Sequence, residues 1–227
     1  MQERRRAPLE PRKTPVQARS AASVEAILEA TVQVLLDVGK ERLTTTRVAA
    51  RAGVSVGTLY QYFPNKSALL QAILKRHLNS VSEAVETVCR EQRGKPLSEM
   101  ATALVTGFLE AKMRSAKTSV ALYAVSDDVG GAKIAQQMGS RSHKAMVELL
   151  KSAREPLAGD PRVVASVLQG AMVGVSRRLL ESGSAEKQFD AVRQELVVLA
   201  CAYLEARSLR PPLRSTLHAT FHTAGAE

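Results

Sequence analysis

Residues 43–66 read LTTTRVAARAGVSVGTLYQYFPNK, and this stretch predicts two short helices joined by a tight turn. The threonines at 44–46 supply an N-cap for the first helix, because a threonine hydroxyl can accept a hydrogen bond from a free backbone N–H. Gly53 can adopt the left-handed conformation that ends this helix, and Ser55 can cap the second. Ala49 is small where the two helices must cross closely. This order of residue types is that of a helix-turn-helix motif.

The second helix of the motif has a predicted outward face. Leu59 and Phe63 lie four residues apart and are expected to point into the core. At about 100° per residue, the opposite side then carries four residues, namely Gly57, Thr58, Tyr60 and Gln61. A glycine inside a helix costs ~1 kcal/mol relative to alanine, so Gly57 has two interpretations. It either lets the backbone approach the floor of a groove closely, or it relieves crowding beside the first helix.

Two tyrosines and a lysine near this helix can reach phosphates. Tyr60 and Tyr62 are amphipathic and carry hydroxyl groups, although ordinary half-buried surface tyrosines are the alternative for both. Lys66 falls in the first turn of the next predicted helix, where the helix dipole disfavours a cation. A bound phosphate would remove that conflict, and a solvated lysine is the alternative.

Positive charge is concentrated at the N-terminal end of the chain. The net charge is +10, and residues 1–80 hold 13 Lys and Arg against 6 Asp and Glu. A basic region of this kind indicates a polyanionic partner, of which nucleic acid is the commonest. Residues 1–19 are predicted to form a basic flexible arm. This arm either follows a DNA backbone or minor groove, or only solvates the terminus.

Apolar residues recur at helical spacing along most of the remaining chain. One such stripe consists of Val163, Val164, Val167, Ala171 and Val175. The pattern predicts an all-α protein of about nine helices, since no segment has the alternation of a β-strand bounded by hairpin turns. We expect a three-helix domain with the helix-turn-helix at 20–66, a larger helical domain at 67–210, and a flexible tail at 211–227.

Residues 23–78 resemble the N-terminal domain of the TetR family of transcription regulators. The residues that carry the resemblance are Ile27 to Ala30, Gly39, Thr44, Thr45, Val48, Ala49, Ala52 to Ser55, Gly57 to Tyr60, Tyr62, Phe63, Lys66, Leu69 and Leu70. The resemblance implies phosphate contacts by Thr45, Ser55, Tyr60, Tyr62 and Lys66. It implies base contacts by Val56, Gly57 and Gln61. Because Val56 stands where the family often has lysine, it is expected to touch a thymine methyl group instead.

The resemblance also implies that the remaining helices form a ligand-binding and dimerisation domain, without naming a ligand. Residues near Phe108, Met113 and Tyr123 either line an apolar pocket or belong to the core. Gly170 and Gly174 lie one helical turn apart on an apolar helix. They predict either a dimer interface, shared with the helix at 185–207, or close packing within one chain.

These features together predict a sequence-specific transcriptional regulator that binds double-stranded DNA as a homodimer. We expect a repressor that a small-molecule effector of unknown identity releases from its operator. The alternative is an architectural DNA-binding protein without an effector. No enzyme, cofactor or metal site is predicted, because no catalytic constellation is present. His218 and His222 are four residues apart but lack the glutamate of a metalloprotease motif and fall in the predicted tail.

A cytoplasmic location is expected from the distribution of apolar residues. The longest unbroken apolar run, 196–204, is far shorter than the ~20 residues that a membrane-spanning helix needs. A secretory signal peptide has an apolar segment after its basic N-terminus, and no such segment follows the arginine-rich N-terminus here.

Overall fold

The computed structural model describes residues 18–208, and this part of the chain is all-α, as predicted. It contains nine α-helices: α1 (Ala18–Arg42), α2 (Thr45–Ala52), α3 (Val56–Tyr62), α4 (Lys66–Glu91), α5 (Leu97–Met113), α6 (Ala116–Ser126), α7 (Gly131–Lys151), α8 (Pro161–Glu181) and α9 (Ala185–Ala206). A short 3-10 turn, Asp127–Val129, joins α6 to α7. Because α1 begins at Ala18, the last two residues of the predicted arm are helical. The rest of that arm, the tail at 211–227 and the histidine pair within it lie outside the described residues.

A first apolar core lies between α1, α2, α3 and the start of α4. Its fully buried side chains include Ile27, Leu43, Val48, Leu59 and Phe63. Helix α1 breaks its regular geometry at Gly39, whose φ of 74° is favourable only for glycine among common residues. The chain can therefore turn back toward α2 at this position.

The apolar packing does not divide at residue 66, where the predicted domains meet. Helix α4 contributes Leu69 and Ile73 to the first core and Val81 and Val85 to a second core, which α5, α7, α8 and α9 complete. Leu122 of α6 belongs to the first core as well. Ile134 of α7 also belongs to the first core, and Met146 of α7 belongs to the second, so α4 and α7 contribute to both cores.

Helix α8 carries apolar residues on two faces, which the sequence pattern does not separate. Val164, Leu168 and Met172 are buried in the second core, whereas Val163 and Val167 are exposed. The single stripe predicted from 163 to 175 is therefore wrong: it mixes a buried face with an exposed one. By length and composition alone, α8 is also long and apolar enough to cross a membrane. Core helices of globular proteins share this property.

Candidate nucleic-acid interface and ligand cavity

The turn between α2 and α3 has the predicted hydrogen bonds. The Thr44 hydroxyl accepts a hydrogen bond from the backbone N–H of Arg47 at 3.2 Å. Gly53 ends α2 in the left-handed conformation, with φ 67°. The Ser55 hydroxyl accepts from the N–H of Thr58 at 2.9 Å. These caps fix the start of α3 and so set the direction in which its outer face points.

The outer face of α3 is exposed where the sequence predicts it. Val56 is 37% exposed and Tyr60 is 41% exposed, which is unusual for side chains of this size. Gly57 and Gln61 are also exposed, as is the cap residue Ser55. An apolar, an aromatic and an amide side chain thus stand together on one accessible surface, which we call the recognition face (Ser55, Val56, Gly57, Tyr60 and Gln61).

Tyr60 is held in place by a residue from the neighbouring helix. Its hydroxyl lies 3.1 Å from the hydroxyl of Thr45 on α2, within hydrogen-bond distance. Thr45 and Thr58 are both half-buried, and the hydroxyl of Thr58 lies 2.8 Å from that of Ser55. The two hydroxyl pairs place polar groups at either end of the recognition face.

Tyr62 and Lys66 are less exposed than we expect of side chains that only contact DNA phosphates. Tyr62 is only 8% exposed, because its ring packs in the first core. Lys66 is half-buried, and its ammonium donates a hydrogen bond to the carbonyl oxygen of Lys40 at 3.1 Å. A protein carbonyl therefore already compensates the cation at the start of α4, so the expected conflict with the helix dipole does not by itself require a phosphate.

Gly57 is not required by packing within the chain. A Cβ atom placed on it would meet only the Ser55 hydroxyl oxygen, at 3.7 Å, which is an ordinary contact. The interpretation that Gly57 relieves crowding beside α2 is therefore wrong. The absent side chain leaves open space in front of the recognition face.

The recognition face belongs to a stretch of the chain that has no acidic residues. Residues 42–82 contain no Asp or Glu and six Lys or Arg. Arg51 and Arg76 are paired with carboxylates of α1, on Asp37 and Glu25 respectively. The region therefore repels no polyanion by its own charges, and its basic groups favour one.

A cavity of about 170 Å³ lies between α4, α5, α6, α7 and α8. Phe108 and Tyr123 are among its lining residues, as predicted for a pocket. Met113 does not line it: it is the last residue of α5 and is half-buried elsewhere. The residue before it, Lys112, does line the cavity, although it is not among the predicted pocket residues.

Lys112 is the unexpected charged group of this cavity. Its side chain is 5% exposed, and its ammonium donates a hydrogen bond to the Tyr123 hydroxyl at 2.9 Å. The ammonium also lies 5.1 Å from the centre of the Tyr123 ring and 6.0 Å from that of Phe108, within the range of cation–π attraction. His77 of α4 is nearby, and its pKa is lowered to about 4 by burial and by the charge of Lys112.

Helix α6 connects this cavity to the helix-turn-helix. Next to Tyr123, the carbonyl oxygen of Ala124 accepts a hydrogen bond from the Lys40 ammonium at 3.4 Å. The same ammonium pairs with Asp128 at 3.0 Å. Since the carbonyl of Lys40 accepts from Lys66, a continuous set of contacts runs from the cavity wall to the start of α4.

Gly170 and Gly174 are exposed on α8, and no atom lies within 4 Å of a Cβ placed on either. Close packing of these glycines within the chain is therefore ruled out for the described residues. The exposed apolar side chains of α8 and α9 are Val163, Val167, Val173, Val198 and Leu199. We call these side chains with the two glycines the α8–α9 patch.

The fold and the recognition face define a helix-turn-helix protein of the all-α class. Residues 27–73 match the family described as bacterial regulatory proteins, tetR family. Residues 96–204 match the tetracyclin repressor-like, C-terminal domain. The chain belongs to the TetR family of bacterial regulatory proteins.

Curated relatives match only part of the chain. The A-factor receptor protein of Streptomyces griseus is 36% identical over 84 residues, which cover 37% of this chain and 28% of the relative. The class C tetracycline repressor protein of Escherichia coli is 46% identical over 54 residues, which cover 24% of this chain and 25% of the relative. The chain thus spans less than a third of the length of either relative.

The fold likeness extends much further than the sequence likeness. A solved structure from Mesorhizobium loti MAFF303099, assigned to the TetR family of transcriptional regulators, covers 85% of this chain and is itself covered completely. The TM-score is 0.69 at 18% sequence identity. At that identity the likeness establishes the fold alone.

Proposed function

We propose that this protein is a repressor that binds a DNA operator as a homodimer in the cytoplasm and leaves it when a small molecule binds. The recognition face carries this proposal, because its side chains are exposed and it lies within a stretch of chain that has six basic residues and no acidic one. Gln61 can pair with the edge of adenine, and Val56 can contact a thymine methyl group. Without a side chain at Gly57, the backbone can approach the groove floor.

Phosphate contacts are assigned to hydroxyl and ammonium groups around the recognition face. Thr45, Ser55, Thr58 and Tyr60 carry accessible hydroxyls near its ends. Tyr62 and Lys66 complete the set, although both also have partners inside the protein. Such contacts fix the position of a helix on the duplex, and the base contacts supply sequence preference.

A dimer follows from the limited reach of one recognition face. A single helix-turn-helix reads only a few base pairs, so useful specificity needs two half-sites about one DNA turn, or a multiple of it, apart. The α8–α9 patch supports this proposal, because several large apolar side chains are exposed on these two helices and exposed apolar surface can mark an interaction site. Gly170 and Gly174 allow a partner helix to approach the patch closely.

Release by a ligand is supported by the position of the cavity. Its walls include α4, which begins at Lys66, and α6, which contacts Lys40. A molecule that favours one arrangement of these helices changes the separation of the two recognition faces in a dimer. Such a ligand acts only through its different affinity for the two arrangements, and a coupling of ~1–3 kcal/mol corresponds to roughly 5- to 150-fold in DNA affinity.

Sequence preference separates this proposal from an architectural protein. The full chain is offered random double-stranded DNA, and the enriched sequence is compared with unselected DNA at fixed salt. We expect the enriched sequence to bind at least ~10³-fold more tightly. Equal affinity for all sequences would instead support an architectural DNA-binding protein.

Reciprocity tests the response to a ligand. The affinity of 4-fluorobenzoate and of 4-fluorobenzyl alcohol for the full chain is measured by calorimetry with and without operator DNA. We expect one of these probes to weaken DNA binding, and DNA must then weaken binding of that probe by the same factor. A probe that occupies the cavity with equal affinity in both states would contradict the proposed response.

A further inference from the structure

Lys112 is a buried cation without an acidic partner. No carboxylate of the described residues lies within 4.0 Å of its ammonium, although its side chain is 5% exposed. Transfer of an unpaired charge into a protein interior is costly. The Tyr123 hydroxyl and the two aromatic rings solvate the ammonium, but they do not neutralise it. The charge therefore remains available to an anion that enters the cavity.

The groups around Lys112 do not supply this anion. His77 of α4 faces it and is held by the Ser119 hydroxyl at 3.0 Å, and its low pKa leaves it neutral at pH 7. Arg177 of α8 lies 5.7 Å from the centre of the Tyr123 ring and adds a second cation. The carboxylate of Glu181 is hydrogen-bonded to Arg177 at 2.8 Å, and Asp127 also acts on that guanidinium.

The rest of the cavity is lined mostly by apolar side chains. Its walls include Leu78, Val81, Val85, Met138, Met146 and Met172. Two of the polar lining side chains, Ser82 and Gln169, donate to backbone carbonyls, at 3.2 and 3.0 Å. Flexible methionine side chains can adjust to the outline of a ligand.

The size of the cavity limits what can fill it. A dry apolar cavity of ~150 Å³ holds one benzene molecule, and this one measures about 170 Å³. A molecule with one ring, or a short branched chain, and one small polar group therefore fits without rearrangement of the walls.

We propose that the cavity binds a small organic acid, with an apolar body the size of one ring against α4 and α7 and its carboxylate on the Lys112 ammonium and the Tyr123 hydroxyl. This inference rests on the proposed function for the role of the cavity as effector site and adds the chemical class of the effector. Lys112 is then the residue that selects acids over neutral molecules of the same shape.

The test compares an acid with a neutral analogue of nearly equal shape. Binding of 4-fluorobenzoate and 4-fluorobenzamide to the full chain, without DNA, is followed by fluorine NMR at neutral pH, where the acid is ionised. A hydrogen bond to a charged group predicts roughly 10- to 100-fold tighter binding of the acid. Lys112→Met removes the charge at similar size and is expected to abolish this preference, whereas the exposed Lys117→Met on α6 is expected to retain it.

Tyr123→Phe removes only the hydroxyl and keeps the Lys112 charge, so we expect this variant to keep a reduced preference for the acid. Circular dichroism of each variant checks that the helical fold is retained. Equal affinity for acid and amide, a preference that survives Lys112→Met, or no binding of either probe at millimolar concentration would overturn the inference. An acid that binds as expected but leaves DNA affinity unchanged would contradict the proposed function and not this assignment.

Discussion

The ammonium of Lys66, at the start of α4, lies 3.1 Å from the carbonyl oxygen of Lys40, near the end of α1. A cation at the C-terminal end of a helix is favourable, because the last carbonyl groups carry partial negative charge. We expect Lys66→Ala to lower the free energy of unfolding by ~0.5–1.5 kcal/mol, the usual contribution of one hydrogen bond. Chemical denaturation measures this loss.

DNA binding by the same variant tests the phosphate contact. If Lys66 also neutralises a phosphate, Lys66→Ala weakens binding to all sequences alike and lowers the slope of log affinity against log salt by about 1. Lys117→Ala, on the exposed surface of α6, serves as the control. A stability loss with an unchanged salt slope would restrict Lys66 to its contact with Lys40.

We expect Gly57→Ala to raise the stability of the protein and to weaken its binding to DNA. Because a Cβ at this position meets only ordinary contacts, Gly57→Ala raises the free energy of unfolding by up to ~1 kcal/mol. The added methyl group stands between the backbone and the groove floor, so operator affinity falls. Ser140→Ala, at an exposed position of α7, should leave DNA affinity unchanged. Unchanged operator affinity for Gly57→Ala would show that the backbone makes no close approach.

The α8–α9 patch predicts a variant that loses the dimer and keeps the fold. A Cβ atom at Gly170 or Gly174 meets no atom within 4 Å in the chain, and both positions are exposed, so we expect leucine at both to preserve the helix content of the isolated chain. Leucine side chains would hold a partner helix away, so light scattering at micromolar concentration should give a dimer for the wild type and a larger monomer fraction for the variant. Ser140→Leu on the exposed surface of α7 is the control, and a monomeric wild type would refute the interface.

Acid should destabilise the protein through His77. Burial and Lys112 lower its pKa from 6.5 to about 4, so between these pH values the unfolded chain binds a proton that the folded protein does not. Stability conferred by neutral His77 is complete above pH 6.5 and declines toward pH 4. Each pKa unit corresponds to about 1.4 kcal/mol.

The corresponding measurement is the free energy of unfolding at several pH values. In His77→Gln, the part of the decline between pH 6.5 and 4 that belongs to this imidazole should disappear. His143→Gln provides the same substitution on α7. An identical pH profile for the wild type and His77→Gln would show that His77 takes up its proton at the same pH in the folded protein as in the unfolded chain.

The helix-turn-helix could be predicted because its signals are local. Caps, the left-handed glycine and the inward pair Leu59 and Phe63 lie within a few residues of one another, and helical geometry then determines the outer face. Tyr62 is the exception on the same helix. Its burial depends on α4 and other distant elements, which local spacing does not reveal.

The ligand cavity could be predicted only in part, because it joins residues from five helices. The sequence predicts Met113 as a pocket residue from its apolar character but does not indicate Lys112, since lysine is rarely buried. Lys112 lies four residues after Phe108, on the same face of α5, whereas Met113 is rotated by about 100° from it. The predicted stripe of α8 combined the exposed Val163 and Val167 with the buried Val164, because periodicity identifies apolar residues on a helix but not what covers them.

Selection of DNA by the wild type and by Gln61→Ala tests the central claim, that the outer face of α3 reads bases. The wild type should enrich an inverted repeat of two half-sites, as a dimer requires. Gln61→Ala should bind the same repeat but lose discrimination at one position in each half-site, by ~1–3 kcal/mol. Identical base preferences for the two proteins, or no enriched repeat for the wild type, would contradict the account.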